Sequence, residues 1–187
     1  MDVVFALVIW RAFTILPRPG EDGGEWSSIP EMLRAEHFTI IAAVLVIVIV
    51  IVYWLKNNEL YGYLQGADKW VTTLAILQLF AILLFMYAIR LGIDYPDGAA
   101  PRVAESVAAM LIGVPSFLAW WRAMRVPGLI KEDVSPEKKT EILFGNLAEP
   151  LTALVTIPCA FIGPIGWQIG WLTYPLMLRL VKRLAAG

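Results

Sequence analysis

The sequence predicts an all-α integral membrane protein, a polytopic bundle of five transmembrane helices that closes in a tight helical hairpin, with a sixth if the N-terminal segment also crosses. Three observations carry this. The apolar stretch 147–180 is broken once, at Gly163-Pro164-Ile165-Gly166; it is too long for one bilayer crossing and about right for two. Several long uncharged runs precede it. Only 17% of the 187 residues are charged and 59% are apolar, where a soluble domain carries about a quarter charged residues. That leaves room for short loops and no separate soluble domain, so 1–187 reads as a single membrane-embedded domain.

The elements follow in order. Residues 1–16 would rise about 24 Å as a helix, short of the roughly 30 Å hydrocarbon core, and they carry Arg11. The segment either lies in the interface or spans with Arg11 snorkelling, and its shortness favours the interface. Asp2 stands where a secretion signal would be positive and no small-residue cleavage site follows, so a removable signal peptide is not expected.

The first full span is about 38–55. Ser28-Ile29-Pro30-Glu31 reads as its capping box, with Glu31 reaching back to Ser28 and Pro30 tolerated in the first turn. The Val/Ile/Leu run 44–52 would favour a strand in water, but in lipid an open strand leaves backbone groups unpaired, so helix wins. With no polar face, this span is expected to meet lipid all round, anchored by Tyr53, Trp54 and Lys56.

The second span, about 70–91, is bounded by Asp68-Lys69 and Arg90. The third, about 103–121, contains Pro115 and ends in the expected interfacial anchor Trp120-Trp121-Arg122. Ser135-Pro136-Glu137 then starts an amphipathic surface helix that Gly145-Asn146 should stop. The fourth and fifth spans are 147–162 and 165–181.

Lysine and arginine set the orientation. Arg122, Arg125, Lys131, Lys138 and Lys139 follow the third span, and Arg179, Lys182 and Arg183 close the chain. Both groups read as cytoplasmic, which requires an even number of crossings between them. Lys56 and Lys69 then fall inside, and the acidic loop Asp94-Tyr95-Pro96-Asp97 falls outside. A prokaryotic-type plasma membrane with a cytoplasmic C-terminus is expected.

Candidate functional residues are few. Glu149 is an acidic group inside a span, where ionisable residues are costly and often functional. Asn146-Leu147-Ala148-Glu149 also fits an N-cap with a carboxylate at N3, and that reading is preferred to ion or proton binding. Glu105 reads as a first-turn carboxylate of the third span, paired with Arg102. Arg90 reaches headgroups, or pairs with Glu105 or Asp94. Gln78 and Gln168 are amides within spans, each expected to hydrogen-bond a neighbouring helix for about 1 kcal/mol. Pro115, Pro150, Pro158 and Pro175 free backbone carbonyls, as in the broken helices of transporters, although kinks without function are commoner. Gly166 and Gly170 form a small-xxx-small pattern that lets another helix approach.

The exclusions are firmer. A net charge of −1 gives no basic stripe for nucleic acid. His37 is the only histidine, so no bis-histidine haem site or histidine metal cluster exists. Cys159 is the only cysteine and forms no intrachain disulfide. No Walker-type or dinucleotide glycine motif occurs, and no catalytic residue, metal or cofactor is assigned. The lipid bilayer and other membrane protein subunits are the expected partners. The leading expectation is a non-catalytic packing subunit of a larger membrane complex. The alternative is a small homo-oligomeric channel or transporter built on the proline-broken hairpin with Glu149, Cys159 and Gln168. A weaker one is a lipid-processing enzyme using Glu105 and Arg90.

Overall fold

The computed structural model describes residues 2–14, 16–18 and 26–186; Met1 and Ile15 of the expected N-terminal segment lie outside the described residues. The helices among them are α1 (Asp2–Phe13), α2 (Ile29–Ala35), α3 (His37–Gly62), α4 (Lys69–Asp94), α5 (Ala99–Arg125), α6 (Pro136–Gly145), α7 (Ala148–Cys159), α8 (Pro164–Trp171) and α9 (Tyr174–Ala186). Four stretches are long and apolar enough to cross a membrane: Thr39–Gly62, Lys69–Asp94, Ala99–Arg125 and Pro136–Cys159. The all-α membrane class is borne out. Residues 1–57 and 58–187 form two compact units, each described by itself.

In the first unit, α1 has 12 residues and rises about 18 Å. Trp54 Nε1 donates to Asp2 Oδ1 at 2.9 Å, which sets the start of α1 beside the far part of α3. Phe5, Val8 and Ala12 are buried at helical spacing, as are Ala43, Val46, Val50 and Tyr53. The expectation of a wholly lipid-facing first span is therefore corrected: α3 has a buried stripe, and Tyr53 lies in it. A helix that is apolar all round gives no sequence contrast between its buried and lipid faces.

The capping box also differs. Ser28 holds the N-cap position with extended backbone but makes no side-chain cap bond. Glu31 instead accepts from the Ser27 hydroxyl at 2.5 Å and the Ser27 N–H at 2.8 Å. These bonds, the hydroxyl's first, hold its carboxyl below the usual range, because they favour the charged form.

The second unit begins with the antiparallel pair α4 and α5. Asp68 caps α4 by accepting from Val71 N–H at 2.8 Å, and its other oxygen meets Arg122 Nε of α5 at 3.0 Å. One side chain thus starts a helix and fixes the register of the pair at that end. Beyond α5, the chain doubles back onto residues 63–65: Gln65 N–H donates to Leu129 O and Lys131 N–H to Tyr63 O. Leu60, Trp120, Ala123, Ile130 and Val134 make a small core beneath. Trp120 is fully buried there and donates to Lys139 O at 2.8 Å, so the expected interfacial anchor is corrected to Trp121, whose ring carries the Arg125 guanidinium 3.7 Å above it.

The closing segment departs most from expectation. Ser135 caps α6 as expected, accepting from Lys138 N–H. Gly145-Asn146 does not stop the helix: Asn146 and Leu147 keep right-handed helical backbone, and α6 runs on into α7. The Asn146 amide donates backward to Ile142 O at 3.0 Å and its carbonyl oxygen accepts from Ser116 at 3.2 Å. The predicted Asn146–Glu149 cap is therefore corrected, since the side chain is used by the helix before it and by α5. The fourth span is accordingly Pro136–Cys159 instead of 147–162.

The turn is where the sequence puts it. Gly163 has φ 126°, a conformation only glycine adopts readily, and Pro164 opens α8. The fifth span is not one helix. It breaks at Leu172-Thr173 between α8 and α9, where Leu172 and Thr173 N–H groups bond three residues back, to Ile169 and Gly170. Pro175 has no N–H for the next turn and so fixes the break. Lys182 of α9 meets Glu141 of α6 at 4.0 Å, so both basic flanks of the hairpin stand at one end.

Candidate functional site

Two polar layers lie within the second unit. The first is at mid-depth. At 1.5 Å per residue, Glu149 stands about 20 Å along from Pro136, and Tyr174 about 18 Å along from Ala186. Both heights fall near the middle of a roughly 30 Å hydrocarbon core. Glu149 is partly buried, and α7 packs against α9, so both polar residues belong to this packed pair of helices. Next to Glu149, Pro150 packs on Gly113 of α5 closely enough that a Cβ at 113 would stand 2.6 Å from the proline Cδ. Thr152, fully buried, donates back to Ala148 O.

The second layer lies nearer the Gly163 turn. Ser106 of α5 accepts from Thr156 Oγ1 of α7 at 2.8 Å and from Trp167 Nε1 of α8 at 2.9 Å, and donates to Arg102 O at 3.0 Å. One hydroxyl thus joins three helices. Arg102, 8% exposed, donates to Ala160 O beyond the end of α7 and to Pro96 O in the α4–α5 turn. A cation at a helix C-terminus is favourably placed, and here it also ties two turns together.

The predicted residues are dispersed. Glu105 lies over Gly92 of α4, where an added Cβ would stand 2.5 Å from its carboxylate; Arg102 acts on it through charge. α5 begins at Ala99, so Glu105 sits beyond the first turn instead of in it, and the first-turn reading is corrected. Arg90 is exposed and pairs with Asp94 at 3.3 Å. Two residues apart on a helix means opposite faces, so Arg90 and the Glu105 contact at Gly92 are not brought together. Gln78 is 2% exposed, and its Oε1 has no hydrogen-bond partner among the described residues. Gln168 is exposed on α8 beside Ile165 and Ile169. Gly166 lies against Ile162 of its own turn, whereas Gly170 lies against Thr156 and Cys159 of α7. Among the described residues, no three of His, Cys, Asp and Glu converge on a point. At the basic end, a shallow pocket of about 360 Å³ lined by Tyr63, Lys131, Asp133 and Lys138 lies outside both layers, and Lys138 there already pairs with Glu141 and Glu59.

No known protein family matches the chain, and no curated protein does. Among solved structures, the fold resembles that of a potassium channel. One such structure is a variant of MtTMEM175 crystallised with a nanobody–MBP fusion protein: TM-score 0.70, 18% identity, covering 99% of this chain and 90% of that one. At that identity the likeness concerns the fold alone, and it agrees with an all-α membrane protein.

Sequence reasoning missed the Ser106 layer and the part played by Tyr174. Ser106 looks like any small residue in α5; its partners lie 50 and 61 positions away. The available signal for Tyr174 was Tyr174-Pro175, a dipeptide that stops one helix and opens the next.

Proposed function

We propose that the chain is a small channel or transporter for cations, working as an assembly of several copies. The proposed setting is a prokaryotic-type plasma membrane with the C-terminus in the cytoplasm. The observation that carries this reading is the fold-wide likeness to a potassium channel over nearly the whole of both chains. The preference for cations comes from the mid-depth layer. On α5 to α9, Glu149 is the one charged residue near that depth, and the nearest basic residues lie toward the helix ends. A carboxylate at that level lowers the barrier for a cation and raises it for an anion.

The packing-subunit reading has less support, because apolar outer faces are common to every membrane protein. Purification from native membranes in mild detergent separates the two. A homo-oligomer of this chain supports the channel or transporter; stoichiometric co-purification of different subunits supports the packing subunit. The enzyme reading loses its motive, since Glu105 and Arg90 stand on different sides of α4.

A further inference from the structure

We propose that α9 presents a binding surface for an anionic phospholipid, with Arg179, Lys182 and Arg183 on its phosphate and Leu176 and Leu180 along an acyl chain. This goes beyond the channel or transporter reading and does not depend on it.

The faces of α9 follow from its sequence. Successive helical residues turn by about 100°. Tyr174, Met177, Leu178 and Val181 therefore share one side, buried or half-buried, where α9 packs against α6 and α7. Lys182, Arg179 and Arg183 share a second sector of about 100°, and Leu176, Leu180 and Leu184 a third of about 80°. The side chains of both these sectors are exposed. Cations and leucines thus stand next to each other on the outward surface, as on helices that hold lipid at the headgroup boundary.

Charge sets this face apart. Among the described helices, α9 alone carries basic residues and no acidic one. Lys182 has Glu141 of α6 at 4.0 Å, but Lys138 holds that carboxylate more closely, at 3.3 Å. Among the described residues, neither Arg179 nor Arg183 pairs with a carboxylate. One turn apart, these two arginines have Cβ atoms about 6 Å from each other. Both guanidiniums can fork onto one phosphodiester, a geometry that suits arginine.

Depth decides between a lipid and a soluble anion. Measured from Ala186, Arg183 stands about 5 Å and Arg179 about 10 Å along the helix. Arg179 reaches the headgroups by laying its stem along the helix. Leu180 and Leu176, about 9 and 15 Å from that end, fall within one leaflet of a roughly 30 Å hydrocarbon core. A basic cluster at such a boundary draws anionic headgroups, and the leucine row beside it meets the chain. A soluble anion would use only the cations.

The test is thermal unfolding of the purified full-length protein in neutral detergent, at constant ionic strength, with phosphatidylglycerol or phosphatidylcholine added to the micelles. A ligand that binds only the folded state raises the midpoint saturably. Phosphatidylglycerol is expected to act at lower concentration than phosphatidylcholine. Each basic residue near an anionic surface gains about fivefold in binding. Arg179→Gln and Arg183→Gln should therefore each need about fivefold more phosphatidylglycerol for the same rise. The double variant should lose most of the preference over phosphatidylcholine. Lys131→Gln with Lys139→Gln, at the same end but off α9, should keep it. Leu180→Ala should weaken the rise, and glycerol phosphate, a head without chains, should give none. If the double variant does not fold, the two single variants carry the test. Equal stabilisation by the two lipids overturns the surface. So does a preference that survives in the double variant, or one lost as fully in the Lys131/Lys139 variant. A rise in glycerol phosphate that matches the lipid's removes lipid as the occupant. Loss of a homo-oligomer in the α9 variants, without any lipid preference, gives the face to a second copy and overturns the proposal.

Discussion

Pro150 of α7 seats its ring on the bare backbone of Gly113 of α5, with Cδ and Cγ only 2.6 and 2.7 Å from where a Cβ at 113 would stand. This is the closest approach between the closing hairpin and the rest of its unit that a glycine permits. It lies beside Glu149, so the position of that acid depends on it.

Gly113→Ala is therefore expected to destabilise the protein by about 1–3 kcal/mol, the usual cost of overpacking. Pro150→Ala in the same chain removes the ring and should recover most of the loss, a coupling that a double-mutant cycle of thermal midpoints would read. Additive effects of the two changes would contradict the contact.

Ser106→Ala leaves the Trp167 indole N–H without its acceptor, while the Thr156 hydroxyl can turn its one proton to Ala153 O. The expected loss is about 1–2 kcal/mol, the cost of an unsatisfied buried donor. Trp167→Phe should remove most of the further effect of Ser106→Ala, since the orphaned donor is then gone. Thermal unfolding of the three variants checks this.

Asp68 supplies an acid limb to stability. The Val71 N–H and then the Arg122 guanidinium hold its carboxyl below the ordinary 3.8. The unfolded chain has the ordinary value, so the stabilisation is fully present above it and is lost as pH falls through the lowered one. Asp68→Asn keeps a capping oxygen but has nothing to titrate. Its midpoint should lie below that of wild type at neutral pH, and the gap should close as pH falls through the ordinary 3.8 and on below it.

Gly170 brings α8 within 3.3 Å of the Cys159 sulfur, measured from an added Cβ. Gly170→Leu should push α8 away from α7 and speed labelling of Cys159 by a membrane-permeant maleimide. As Cys159 is the only cysteine, the rate reports this contact cleanly, and an unchanged rate would count against it.

The spans α3, α4 and α5 were legible in the sequence because each is a long uncharged run between charged flanks. Asp68 and Arg90, for example, bracket α4 within a few residues. The hairpin turn was legible too, through Gly163-Pro164. The break between α8 and α9 was not. Residues 147–180 carry no charge except Glu149 and Arg179, so nothing in the sequence told that Pro175 would follow a helix break while Pro150 would sit inside α7. Asn146 misled for a physical reason: an asparagine side chain that could cap the next helix can also bond back to a carbonyl of the preceding turn, and here its amide bonds Ile142 and Ser116. The Ser106 layer was invisible because a serine in an apolar helix declares no partner. The spacing of Arg102 and Glu105 suggested a pair, but nothing in it pointed to the two carbonyls, Ala160 O and Pro96 O, to which Arg102 donates.

The central claim is that this chain by itself carries cations across a membrane. The most direct measurement is potassium flux into liposomes containing only the purified protein, against protein-free liposomes and against Glu149→Gln. The expected result is flux that scales with the protein reconstituted and is lost in Glu149→Gln. Liposomes holding a well-folded, homo-oligomeric wild type that remain as tight to potassium, sodium and protons as protein-free ones would contradict it.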